Sequence, residues 1–242
     1  MFMMFDPVLT VITLIGLPLV FLPQLWVKNT FKKVSQIQNR RGITGRYVAE
    51  EMLKRQQITD VHVEETPDFL GDHYSPDEKM VRLSPDVFEG TSIAAVAIAA
   101  HEVGHAIQHA KQYHPVVWRS KLFPVVNIGS QMGPLLLMAS MILGFMMKGF
   151  SQFAFQIGVV GVILFSFAVL FHFVTLPVEI NASSRALAIL KQDNYLFEDE
   201  LPQAKKVLTS AAFTYIATAM YALLELVGYI YRLFLMSSQS EE

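Results

Sequence analysis

Three observations predict a mainly α, polytopic membrane fold of about four transmembrane helices. First, 52% of the 242 residues are hydrophobic and 17% are charged, with a mean hydropathy of +0.38. A soluble domain is nearer about 45–50% apolar and about 25% charged. Second, the apolar excess sits in four runs, about 5–27, 123–147, 153–176 and 211–235, and about 20 helical residues suffice to cross a bilayer. Third, an Ala-, Ile- and Val-rich stretch between the first two runs carries ionisable residues at helical spacing. Residues 1–242 are read as a single domain, with polar segments at about 28–122 and 177–210.

The first run, FDPVLTVITLIGLPLVFLPQLWV, has no charge beyond Asp6. It lacks the basic start and small-residue cleavage site of a signal peptide, so a retained helix is expected. Pro18 and Pro23 are expected to kink it or end it early. Lys28 to Arg55 is a basic segment and reads as a membrane-surface anchor. Arg41-Gly42-Ile43-Thr44-Gly45 breaks it, and Thr44 is placed to cap a helix running through Tyr47, Val48, Met52 and Leu53. Val61-His62-Val63-Glu64 alternates as a short strand, Gly71 to Asp77 is turn-rich, and Lys79 to Ser84 alternates as a second strand. These strands predict a small β-hairpin or sheet, whose free edge is either a plain stabilising feature or a place for an extended peptide. Ser84-Pro85-Asp86 starts a short helical turn. Gly129, Gly133 and Pro134 interrupt the second apolar run, and Lys148 to Gln152 makes a tight connection. Gly158 and Gly161 in the third run permit close approach of another helix. The fourth run carries Glu225 and Arg232.

The net charge of −2 gives no reason to expect a nucleic-acid partner. The chain has no cysteine, which excludes disulfides, thiolate metal ligands and a cysteine nucleophile.

The chemistry is concentrated in TSIAAVAIAAHEVGHAIQHA, Thr91 to Ala110. Thr91 and Ser92 are good helix caps. Inside the helix that follows, His101-Glu102-Val103-Gly104-His105 is an H-E-x-x-H motif. Positions i and i+4 share a helix face, so His101 and His105 can turn two imidazoles towards one Zn²⁺, with Glu102 beside them as a base for water. An ionisable cluster in so apolar a helix is costly unless it is paired or metal-bound.

A catalytic zinc usually takes three protein ligands. Four residues are candidates for the third: His109, His114, His172 and Glu179. His109 is one turn beyond His105, and three ligands in line along one helix surround a tetrahedral ion poorly. His114 reads as a solvated loop residue and His172 as a polar residue at the membrane boundary. Glu179 is the choice, because a helix starting near Pro177 would place it in the first turn and because two histidines with one glutamate form a catalytic ligand set.

At these residues the chain resembles the bacterial membrane family of neutral zinc metallopeptidases of the YugP type. The likeness rests on Gly42-Ile43-Thr44-Gly45, Asp72-His73-Tyr74-Ser75-Pro76, Val81-Arg82-Leu83-Ser84, Ser92 through Gln108, and Glu179-Ile180-Asn181-Ala182-Ser183-Ser184-Arg185-Ala186. The resemblance covers most of the chain. It implies a zincin-like, membrane-embedded peptidase of the bacterial inner membrane with one Zn²⁺ per chain. It also implies His101, His105 and Glu179 as ligands and Glu102 as catalytic acid/base. More distantly the plan is similar to the HtpX group of membrane proteases, where the later motif is often E-x-x-x-D. Ser183 stands at that Asp position here, and a hydroxyl orients an imidazole more weakly than a carboxylate. Arg185, Asn181 and His109 are candidates for stabilising an oxyanion.

The segment 28–122 carries thirteen Lys/Arg and 177–210 carries four, whereas Lys148 is alone in its connection. Loops rich in Lys/Arg stay cytoplasmic, so four spans put the motif helix on the cytoplasmic side and both termini outside. The expected function is hydrolysis of peptide bonds in membrane or misfolded proteins at that face. The expected partners are a polypeptide substrate and the lipid bilayer, with a homo-oligomer or a regulatory membrane partner as further candidates. The alternatives are a non-proteolytic zinc-binding scaffold or adaptor, against which the intact Glu102 speaks, and a transporter, against which the few charges inside the spans speak.

Overall fold

A computed structural model describes residues 7–68, 71–146 and 151–238. Phe5 and Asp6 of the first predicted span, Met147 of the second and the 148–150 part of the predicted connection lie outside the described residues. In chain order the elements are α1 (Pro7–Val34), α2 (Gly45–Arg55), β1 (His62–Glu65), β2 (His73–Ser75), β3 (Met80–Leu83), α3 (Pro85–Phe88), α4 (Ile93–Ala110), α5 (His114–Met146), α6 (Ser151–Gln192) and α7 (Leu201–Ser238). Four of these helices, α1, α5, α6 and α7, are long and apolar enough to cross a membrane, which makes this a helical membrane protein.

The long helices overrun the predicted spans. Pro18 and Pro23 do not end α1, which continues to Val34. Pro177 does not start a new helix but lies inside α6. A proline removes one backbone donor and crowds the preceding turn. Here the helix holds because the residues that follow, Val178, Ala182 and Ala186, are completely buried. His114, expected in a loop, is the first residue of α5 and is exposed.

The chain divides into two compact units. One consists of Met1–Leu22, Trp118–Thr175 and Ile216–Glu242. Its helices turn large apolar side chains outward, among them Leu14, Ile128, Ile163, Leu170 and Phe234, an arrangement suited to lipid rather than water. Inside it, α5 and α6 meet at glycine: a Cβ on Gly161 would lie 3.0 Å from the Gly133 carbonyl oxygen. That is the close approach expected of Gly161.

The other unit consists of Pro23–Val117 and Leu176–Tyr215. Its core joins Val48 and Met52 of α2, Val81 and Leu83 of β3, Ile93 and Ile107 of α4, and Leu190 of α6. Thr44 caps α2 by accepting from the Tyr47 N–H at 3.1 Å, and Ser92 caps α4 by accepting from the Ala95 N–H at 3.1 Å. Both caps agree with the sequence. The start of α4 is further tethered by the Asn39 N–H to the Thr91 carbonyl and the Ile93 N–H to the Ile37 carbonyl, both 2.9 Å.

The sheet is three-stranded and mixed, in the order β1-β3-β2. β1 runs parallel to β3, with His62 opposite Met80, and β2 runs antiparallel to it, with His73 opposite Arg82. The two strands legible in the sequence therefore do not form a hairpin with each other. The antiparallel partner is the three-residue β2, hidden in the turn-rich segment because three residues are too few to display an alternation.

Candidate metal centre

α4 is small-sided on the face that meets α6. A Cβ on Gly104 would lie 2.8 Å from the Ala182 carbonyl oxygen and 3.3 Å from the Ala182 Cα. The glycine inside the H-E-x-x-H motif thus lets two helix backbones touch. That contact brings a residue 70-odd positions away within reach of the motif. His101 and His105, one turn apart, have ring centroids 4.7 Å apart at 84°. Their Nε2 atoms each lie 3.4 Å from Oε2 of Glu179. Three ligand atoms, one from each residue, all lie within 4.8 Å of one another. Among the described residues this cluster includes none of His109, His114 and His172.

Each histidine is gripped from behind. His101 Nδ1 lies 3.1 Å from the Ser183 hydroxyl, and His105 Nδ1 lies 3.1 Å from Oε1 of Gln108. Gln108 is completely buried. Its Nε2 donates to the Val178 carbonyl at 2.7 Å and to Oδ1 of Asn181 at 3.0 Å. A carbonyl can only accept, so the Val178 contact sets which way the amide points. Oε1 then faces His105 Nδ1 and accepts its ring hydrogen, which leaves Nε2 as the nitrogen turned towards Glu179. Asn181 in turn accepts from Arg185 Nε at 2.7 Å. A hydrogen-bonded chain thus runs from His105 through Gln108 and Asn181 to Arg185, tying α4 to α6.

Sequence reading missed Gln108. Its signal was available: a polar residue at i+3 from His105, in a helix otherwise made of small apolar residues, needs a partner. The same chain changes the view of two oxyanion candidates. Asn181 accepts from both Arg185 and Gln108. His109 packs its ring against Tyr74 of β2, with centroids 5.4 Å apart. Ser183 stands where expected, behind His101.

The Glu179 carboxylate is 2% exposed and Glu102 is 8% exposed. Burial works against charge on His105, but hydrogen bonding to Glu179 and the charges of Glu102 and Glu179 outweigh it and raise its affinity for a proton. Such a site draws cations. His101, Glu102, Glu179, Ser183 and Asp72 all line one cavity. Asp72 accepts from the Ser84 N–H at 2.8 Å and the Ser84 hydroxyl at 3.0 Å. Burial pushes its carboxyl above the usual range, opposed by those hydrogen bonds and reinforced by the charge of Glu102.

The donor set fits a zinc ion: two imidazole Nε2 atoms whose remote nitrogens are occupied, and one buried carboxylate. The comparisons with known proteins agree with this chemistry. A sequence profile of the family described as "Putative neutral zinc metallopeptidase" matches residues 9–234. The chain is 42% identical over 219 residues to the "Putative membrane protease YugP" of Bacillus subtilis (strain 168), covering 90% of this chain and 93% of that protein. No solved structure matches. The YugP-type resemblance read from the motifs therefore holds along nearly the whole chain, and the protein belongs to the neutral zinc metallopeptidase family.

Proposed function

We propose that this protein is a zinc-dependent endopeptidase that cleaves membrane or misfolded proteins at the cytoplasmic face of the bacterial inner membrane. The observation that carries the reading is the convergence of His101, His105 and Glu179 on one point, with Glu102 on the same cavity wall. His101, His105 and Glu179 would hold one zinc ion. When bound, zinc supplies a Lewis acid for a carbonyl oxygen and acidifies a water. Gln108 and Ser183 hold the two imidazoles in the orientation this requires. Glu102 takes the proton of the attacking water and passes it to the leaving amine. The cytoplasmic orientation is supported by the excess of Lys/Arg in segments 28–122 and 177–210. The reading favours cleavage of chains presented at the membrane surface.

Two variants test the proposal against a non-proteolytic zinc scaffold. Glu102→Gln should keep full zinc and lose about 10²–10⁴ in peptide cleavage rate. Glu179→Ala should lose zinc and cleavage together. Cleavage at the wild-type rate by Glu102→Gln would remove Glu102 as the base, and no cleavage by wild type would remove the enzyme reading. Full zinc in Glu179→Ala would remove Glu179 from the ligand set.

A further inference from the structure

The cavity that exposes His101, Glu102 and Glu179 has two unlike parts. One is the polar wall just described. The other is built by Phe31 near the end of α1, Ile98 of α4, and Val207, Leu208, Ala211 and Ala212 of α7. The cavity holds about 230 Å³, below the roughly 300–1,000 Å³ of a whole small-molecule site. It has room for one large side chain. We propose that this chamber is a specificity pocket that takes a bulky apolar side chain, such as Leu, Phe or Met, from a residue beside the scissile bond. The inference rests on the endopeptidase reading and adds to it the class of sequence cleaved.

Three features favour this occupant. The apolar walls are continuous with the wall that bears Glu102, so a side chain seated there belongs to the chain whose backbone reaches the candidate zinc ligands. An acidic side chain would meet Asp72 and Glu102, both of its own sign, in a cavity whose lining has no Lys or Arg among the described residues. A basic side chain would shed water against apolar walls, and of the two lining acids outside the ligand set, Glu102 is the proposed base and Asp72 is already engaged by Ser84. The small side chains of Ala211 and Ala212 leave the space open, and Phe31 limits its breadth. Ala212 and Phe31 are therefore the positions that set the accepted size. A pocket of this kind separates side chains by about tenfold or more.

The test uses the full-length, zinc-loaded protein in detergent and peptides identical except for one residue, Phe, Leu, Ala, Asp or Lys, flanked by glycine. Cleavage is measured with wild type. Binding of the same peptides is measured by calorimetry with Glu102→Gln, which gives a reading independent of turnover. The Phe and Leu peptides should be cleaved and bound about tenfold or more better than the Asp and Lys peptides. Ala212→Phe should shift the order towards the Ala peptide, and Phe31→Ala should shift it towards Phe. Equal treatment of all five peptides, or a preference for Lys, would overturn the proposal. So would an unchanged order in both folded, zinc-loaded variants. Loss of the preference when phospholipid replaces detergent would give the chamber to an acyl chain instead. Apolar preference in binding without cleavage by wild type would keep the pocket and remove the endopeptidase reading. Cleavage without preference would remove the pocket alone.

Discussion

Two clusters of polar side chains invite comparison. In the unit containing α4, His101, His105 and Glu179 come from two helices and point their ligand atoms at one spot, while Ser183 and Gln108 occupy the remote ring nitrogens. In the other unit, Glu225 and Arg232 of α7 line a cavity of about 130 Å³ with Thr13 of α1, Tyr221 and Tyr229. There Glu225 accepts from the Tyr221 hydroxyl one turn away at 2.9 Å, and Arg232 lies 5.8 Å from the Tyr229 ring centroid, both contacts within α7. A site that binds an ion needs donors converging from separate elements and a second layer that holds them. Contacts made within one helix bring together no donors from separate elements. Ionisable residues on an apolar helix thus do not by themselves mark an ion site.

On that contrast, the groups behind the candidate ligands, Gln108 and Ser183, should matter more to zinc binding than any charge in the other cluster. Gln108→Leu removes the acceptor behind His105 and is expected to weaken zinc binding by about 10–100-fold, measured by competition with a chelator. Gln108→Glu, which can still accept from Nδ1, should recover part of the loss. Zinc affinity unchanged in Gln108→Leu would mean the buried amide only packs.

The helix contact itself comes next. Gly104→Ala places a methyl group 2.8 Å from the Ala182 carbonyl, an overpacking that costs about 1–3 kcal/mol. Thermal unfolding should show the loss, and zinc affinity should fall with it as α4 and α6 separate. A variant as stable as wild type would contradict the close approach.

A smaller effect is expected at Asp72. An acid whose proton affinity is raised by folding binds more protons folded than unfolded. It therefore costs stability as pH rises from its unfolded value, about 4, through its folded one. Asp72→Asn keeps the acceptor for the Ser84 N–H and removes the charge. Its melting temperature should match wild type near pH 4 and exceed it by about 2–4 °C at pH 7. A gap that opens towards low pH instead would refute the sign. The smallest effect is expected at Glu225→Gln, which preserves an acceptor for Tyr221. Zinc content should be unchanged and stability altered by less than about 1 kcal/mol, as read by metal analysis and melting. Loss of zinc in this variant would end the distinction between the two groups.

Much of this arrangement was legible from the chain. Long apolar runs announce spans because a bilayer demands about 20 apolar residues in succession. The caps at Thr44 and Ser92 follow from local hydrogen bonding. The i, i+4 pairing of His101 and His105 follows from helix geometry alone. Where the reading went astray, a local rule met a tertiary contact. Pro177 signals a helix boundary by its own chemistry, yet α6 continues because Val178, Ala182 and Ala186 are buried beyond it. The segment of β2 reads as turn in the sequence because three residues between Asp72 and Pro76 become a strand only when β3 supplies the partner.

The sequence by itself determined the four long apolar helices, the capped motif helix, the face shared by His101 and His105, and the family to which the chain belongs. These depend on spacing of a few residues and on side-chain chemistry, which are properties of the chain order. The tertiary structure alone decided how Glu179, already the choice on the sequence, reaches the two histidines from mid-helix, while among the described residues His109 and His172 stay outside the cluster. It also decided that Gln108 fixes the tautomer of His105, and that apolar residues from α1, α4 and α7 close around the same cavity. Each of those depends on how near two distant stretches of backbone can come. Gly104 sets that distance against Ala182, and no pattern of neighbouring residues encodes it.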